Sequence, residues 1–145
     1  MRGFTLLELL IVLAVFGLLA AIPVAHDRTA AAQLDAAARS LAADLESARE
    51  AALENGASSA LAFLADGRSY ALYLDHARAS ETEPSWTRAL PSGHIARAAL
   101  RRAGWIVFAP DGSAEAGGAL ELALQGERRI VRVHEASGVV WVTKP

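Results

Sequence analysis

Phe4-Thr5-Leu6-Leu7-Glu8-Leu9-Leu10-Ile11-Val12 opens a run with no charged residue from Leu9 to Ala25. As a helix, residues 4–25 would measure roughly 33 Å at about 1.5 Å per residue. A bilayer's hydrocarbon core is about 30 Å thick, so the length suits a single membrane crossing better than a soluble core helix. Gly17, Ala21 and Ala25 recur at i, i+4 and i+8, a small-residue stripe suited to close helix–helix approach in a membrane. Pro23 interrupts the amide ladder and is expected to kink or loosen the helix.

Three readings of this segment compete. A cleaved secretory signal needs a shorter apolar core and a small-x-small site. Ala25 would be the last removed residue, with Pro23 unfavourably two before it, and Glu8 lies inside the apolar stretch. A plain signal anchor accounts for the length but not for Glu8. A carboxylate in hydrocarbon costs about 2.5–3.5 kcal/mol even on insertion scales, so a charge there has a use. The nearest cations in sequence are Arg2 and the amino terminus. If the chain is cut after Gly3, Phe4 becomes a new ammonium terminus. A neighbouring copy shifted along the axis would then bring its ammonium to Glu8, neutralising the charge only on assembly.

Gly3-Phe4-Thr5-Leu6-Leu7-Glu8 resembles the processing site of type IV prepilins and type II secretion pseudopilins. The resemblance implies cleavage between Gly3 and Phe4 by a prepilin peptidase and N-methylation of Phe4. It also implies that Glu8, at the fifth mature position, recognises the next subunit. The leader, residues 1–3 with Arg2 as its one cation, is shorter than the family pattern.

The helix is expected to continue through residues 26–55. Leu34, Ala38, Leu41, Leu45, Ala48 and Ala52 form one apolar face, with Asp35, Arg39, Asp44, Glu46, Arg49 and Glu50 elsewhere. Asp35 and Arg39 are spaced as an i,i+4 pair, Glu46 and Glu50 as a like-charged one. Asn55-Gly56 reads as a stop. The first half of this helix is apolar all round. The second half is amphipathic and needs a surface to pack on.

Residues 56–145 supply that surface as short strands. Ser58–Leu64 and Arg68–Leu74 flank Ala65-Asp66-Gly67, a hairpin signal. Residues 75–85 read as a loop, Trp86–Leu90 as a strand, and Pro91-Ser92-Gly93 as a turn. Ile95–Leu100 is ambiguous. Trp105-Ile106-Val107-Phe108 is a buried strand, followed by the turn Pro110-Asp111-Gly112-Ser113. Leu120–Leu124, Ile130–His134 and Val139–Val142 are three more, divided at Gly126-Glu127 and Ser137-Gly138. The fold expected is α+β and pilin-like: a long N-terminal helix, transmembrane in its first half, packed on antiparallel sheet.

Ile106 to Ser113, then Gly118 and Gly138-Val139-Val140, resemble the globular half of the GspH/FimT group of minor pseudopilins and minor pilins. The core of that pattern here is Phe108-x-Pro110-x-Gly112. The resemblance implies a structural subunit at or near the tip of a type II secretion pseudopilus, helping to export folded proteins. Its partners would be other pseudopilins, the prepilin peptidase, the inner-membrane assembly platform and an exoprotein substrate. The anchor would sit in the bacterial inner membrane with the head in the periplasm. A minor pilin of a type IV pilus, acting in initiation or DNA uptake, is the alternative within this architecture. A membrane-tethered binding domain that never polymerises is the alternative outside it.

The remaining residues give catalysis little footing. The 145-residue chain has no cysteine, which excludes a thiol nucleophile and a disulfide framework. His26, His76, His94 and His134 have no metal-ligand spacing, and His134-Glu135 meets Gly138 where a zinc motif needs histidine. Asp66, Asp75 and Asp111 sit where turns use aspartate. No enzyme activity, metal or cofactor is expected. Some major pseudopilins hold calcium in a C-terminal loop, but residues 137–145 contain no acid. Some minor pilins of this group bind DNA through arginines near the C terminus. Here residues 136–145 carry one cation, Lys144, and net charge is −2. Arg128, Arg129 and Arg132, and Arg97, Arg101 and Arg102, are the candidate basic patches. Arg128 and Arg132 are expected on a solvated face, and nucleic acid is not an expected partner.

Overall fold

The computed structural model describes residues 6–75, 83–100 and 104–145, with side chains at 18–28 and 96–97 left out. Its first element is a single helix, α1, from Leu6 to Asn55. Leu and Ala, both strong helix formers, dominate it. The helix is continuous through Pro23 and ends where expected, at Gly56 with φ 61°. Among the described residues no helix is long and apolar enough to cross a membrane. The spanning role expected of residues 4–25 is therefore an inference from their sequence.

Among the described residues nine strands follow: β1 (Ser59–Phe63), β2 (Ser69–Tyr73), β3 (Trp86–Ala89), β4 (His94–Leu100), β5 (Trp105–Phe108), β6 (Ala114–Ala116), β7 (Gly118–Leu124), β8 (Glu127–Val133) and β9 (Val140–Thr143). They form two antiparallel sheets, ordered β3-β2-β1-β5-β6 and β4-β7-β8-β9. The C-terminal part of α1 lies across both, against β7, β8 and β9 of one and β1 and β5 of the other.

The predicted helix face is the one that packs. Leu34, Ala38, Leu41, Leu45, Ala48 and Ala52 are all fully buried, meeting Leu61, Tyr70, Ile106, Phe108, Leu120, Leu122 and Val131. Each large apolar side chain taken from water contributes about 1.5–3 kcal/mol, and the alanines let the helix axis approach the sheets. Ser59 sits at this contact, its hydroxyl donating to the Ala48 carbonyl. That bond pins the start of β1 to the helix.

Three strand readings change. Ile95–Leu100, ambiguous in sequence, belongs to β4, a strand with a register shift between Ile95 and Arg97. Ala114–Ala116 is a strand the sequence did not announce. Its alanines have weak β preference, and it forms because β5 offers ladder partners at Val107 and Phe108. The β7–β8 turn is Gln125-Gly126 rather than Gly126-Glu127, since both Gln125 (φ 49°) and Gly126 (φ 87°) are left-handed and Leu124 pairs with Glu127. Most of the loop expected at 75–85 lies outside the described residues.

Candidate assembly surface

The exposed N-terminal end of α1 is the surface least suited to water. Leu6, Leu7, Leu9, Leu10, Ile11, Val12, Leu13, Val15 and Phe16 all project outward, Leu6 being 79% and Phe16 66% exposed. A soluble monomer does not leave such a continuous apolar collar uncovered. Glu8 stands within the collar, exposed, in the first turn of the helix. An acid there also suits the positive end of the helix dipole. Gly17 closes the collar with open space on its Cα side. Gly3 and Phe4 lie outside the described residues, as do the side chains of Ala21 and Ala25.

Polar ties along residues 35–49 join α1 to the head. In the last third of α1, Asp44 is buried instead of lying on a polar face. It accepts a 2.6 Å hydrogen bond from the Tyr70 hydroxyl and pairs with Arg88, whose guanidinium lies 4.9 Å from the centre of the Trp86 ring. Burial and the adjacent Asp44 carboxylate push the Tyr70 phenol well above its ordinary range, so it stays a donor. Farther along, Arg49 Nε donates to the Gly112 carbonyl at 2.9 Å, and Glu46 accepts from the Val140 amide at 3.1 Å. Glu46 also faces Arg49 at 3.5 Å.

At the end of the head nearer the collar, Asp35 pairs with Arg129 across the helix–sheet contact. The partner expected from spacing, Arg39, has only a weak influence on it. Arg129 is 3% exposed, with Glu127 a second carboxylate at 3.1 Å. This removes Arg129 from the candidate basic patch at residues 128–132. Arg129 faces the core and is neutralised there, whereas Arg128 and Arg132 point to solvent. Arg101 and Arg102, and the side chain of Arg97, lie outside the described residues. Among the described residues no three His, Cys, Asp or Glu side chains cluster as a metal site.

The Asp35 pair predicts an acid limb of stability. The hydrogen bond from Arg129 holds the Asp35 carboxyl below its ordinary range. Its native form therefore binds fewer protons than the unfolded chain near pH 4, where free aspartate titrates at about 3.9. The contribution is fully present above that value and is lost as pH falls through the lowered native one. Thermal melts of the detergent-solubilised chain at pH 7 and pH 3 measure it. Asp35→Asn is expected to be less stable than wild type at pH 7, with the gap narrower at pH 3. Parallel acid limbs would refute the assignment.

Sequence reasoning placed Asp44, Glu46 and Arg49 among the polar positions and missed that they bind the head. A signal existed for Asp44, which falls three residues after Leu41 and next to Leu45, on the buried side of the helical repeat.

Comparison with known proteins bears on both halves. Residues 37–137 match the family described as type II transport protein GspH, and residues 1–22 match the prokaryotic N-terminal methylation motif. Among solved structures, two crystal forms of the type IV minor pilin FimU from Pseudomonas aeruginosa superimpose on this chain. One gives a TM-score of 0.61 at 18% identity, covering 76% of this chain and 92% of FimU. The other gives 0.60 at 17% identity, covering 77% and 87%. No curated protein sequence gives a significant match.

Proposed function

The chain belongs to the GspH family of type II transport proteins and has a pilin-like α+β fold, and from that premise we propose that it is a minor subunit at or near the tip of a type II secretion pseudopilus. The observation that carries this reading is the apolar collar around Glu8, set at the end of a helix that is tied into a compact head. Residues 1–3 form the leader, 4–25 cross the inner membrane, 26–55 continue the helix, and 56–145 form the periplasmic head. Cleavage after Gly3 frees the Phe4 amine, which is then methylated. Collars of neighbouring subunits pack together as the filament grows, with Gly17, Ala21 and Ala25 allowing close approach.

In this role the chain does mechanical rather than chemical work. Other pseudopilins flank it, the prepilin peptidase matures it, an inner-membrane platform loads it, and an exoprotein meets the tip. A partner ATPase supplies the energy. The FimU superposition favours one second reading, a minor pilin of a type IV pilus. Deleting the gene separates the two, by loss of exoprotein from the medium in the first case and of surface pili in the second.

Mass spectrometry of the mature N terminus tests the processing step. The expected peptide begins at Phe4 and carries one added methyl group on its amine. A chain that keeps Met1, or that is cut beyond Ala25, would overturn the reading.

A further inference from the structure

The outer face of the four-stranded sheet carries a feature that packing does not use. One cross-strand row runs Ala99, Ala119, Arg132, Trp141, each residue the ladder partner of the next. The two alanines leave a shallow hollow of about 440 Å³, lined also by Gly118, Val133, His134 and Glu135. A smaller hollow of about 150 Å³ adjoins it over Ala99, Ala119, Glu121, Ile130 and Arg132. Arg132 rises between them, and Trp141, 39% exposed, stands beside it.

The two solvent-facing arginines of β8 differ in how they are satisfied. Arg128 is answered by Glu121 at 2.9 Å. Arg132 has no ion pair among the described residues, although cross-strand neighbours lie within about 5.5 Å. A guanidinium fork matches a carboxylate through two parallel hydrogen bonds. Arg and Trp together are the side chains that most often anchor protein interfaces. We propose that this row is a docking site for an acidic segment of a partner protein, with a carboxylate seated over Ala99 and Ala119 against Arg132, and an apolar side chain against Trp141.

The charge count favours a protein segment over a nucleic-acid strand. A phosphate backbone rewards a series of cations, each releasing a counterion. Among the described side chains, this face offers Arg132 as its one unpaired arginine, Arg128 being already engaged. The site lies on the head, away from the collar, so it holds whether the filament serves secretion or a pilus.

Fluorescence anisotropy tests the proposal with the full chain in detergent and a labelled peptide alternating Ser and Asp. Saturable binding is expected, about tenfold weaker for Arg132→Gln and unchanged for Arg39→Gln, which removes an exposed cation on the helix. Trp141→Ala is expected to weaken it as well, with circular dichroism confirming the fold of each variant. A peptide alternating Ser and Asn is expected not to bind. Absence of saturable binding, equal binding by the Asn peptide, no effect of Arg132→Gln, or tighter binding of a labelled single-stranded oligonucleotide would each overturn the proposal.

Discussion

Replacing Glu8 with Ala is expected to leave the chain inserted and processed, yet absent from the filament. The two halves of that outcome come from opposite signs of one charge. Burying a carboxylate in hydrocarbon costs about 2.5–3.5 kcal/mol, so its removal eases insertion. In the proposed assembly, Glu8 faces the Phe4 amine of a neighbour. Two unit charges about 4 Å apart are worth on the order of 4 kcal/mol at an effective dielectric of 20. At about 1.4 kcal/mol per tenfold, losing even most of that lowers incorporation more than a hundredfold. Glu8→Gln keeps the shape and removes the charge, so it is expected to fail too. The measurement compares membrane-fraction content and the mature N terminus with the sheared filament fraction and exoprotein in the medium. A Glu8→Ala chain that assembles and secretes normally would sink the polymerisation reading and leave a tethered, non-polymerising domain in its place.

Legibility in the sequence followed the physics of each element. The helix face from Leu34 to Ala52 was readable because a 3.6-residue period is imposed by geometry within one segment. Trp105–Phe108 was readable because a fully buried strand needs an unbroken apolar run. The three-residue β6 was not, because alanine and glutamate carry no strand signal and its cause is the edge of β5. Asp44 and Arg129 were misassigned for a related reason. A charged residue is ordinarily solvated, and burial of these two depends on partners 26 and 94 residues away along the chain. The glycines at 112 and 138 were readable as turn residues, but not as a contact. Their reason emerges in three dimensions, where two turns and the helix meet.

That meeting point predicts the largest loss of stability from a single methyl group. Gly138 has φ 65°, and a Cβ there would lie 2.1 Å from the Gly112 carbonyl oxygen and 3.0 Å from Arg49. Gly112 in turn has φ 80°, and a Cβ there would lie 3.1 Å from the Leu53 side chain. Arg49 holds the cluster together by donating to the same Gly112 carbonyl. Gly138→Ala must therefore adopt a left-handed backbone, at about 1–2 kcal/mol. It must also displace the Gly112 turn from its bond to Arg49, stranding an acceptor at about 1–3 kcal/mol. The sum, about 2–5 kcal/mol, corresponds to a fall in Tm of roughly 10 °C or more. Gly126 provides the control. Its φ is 87°, also left-handed, but nothing lies within 4 Å of its missing Cβ. Gly126→Ala is expected to show the conformational cost alone, near 1 kcal/mol. Thermal melts of both variants in detergent compare them directly. Equal losses would mean that backbone preference explains the Gly138 turn, and that the contact with Gly112 and Arg49 does not hold the head to the helix.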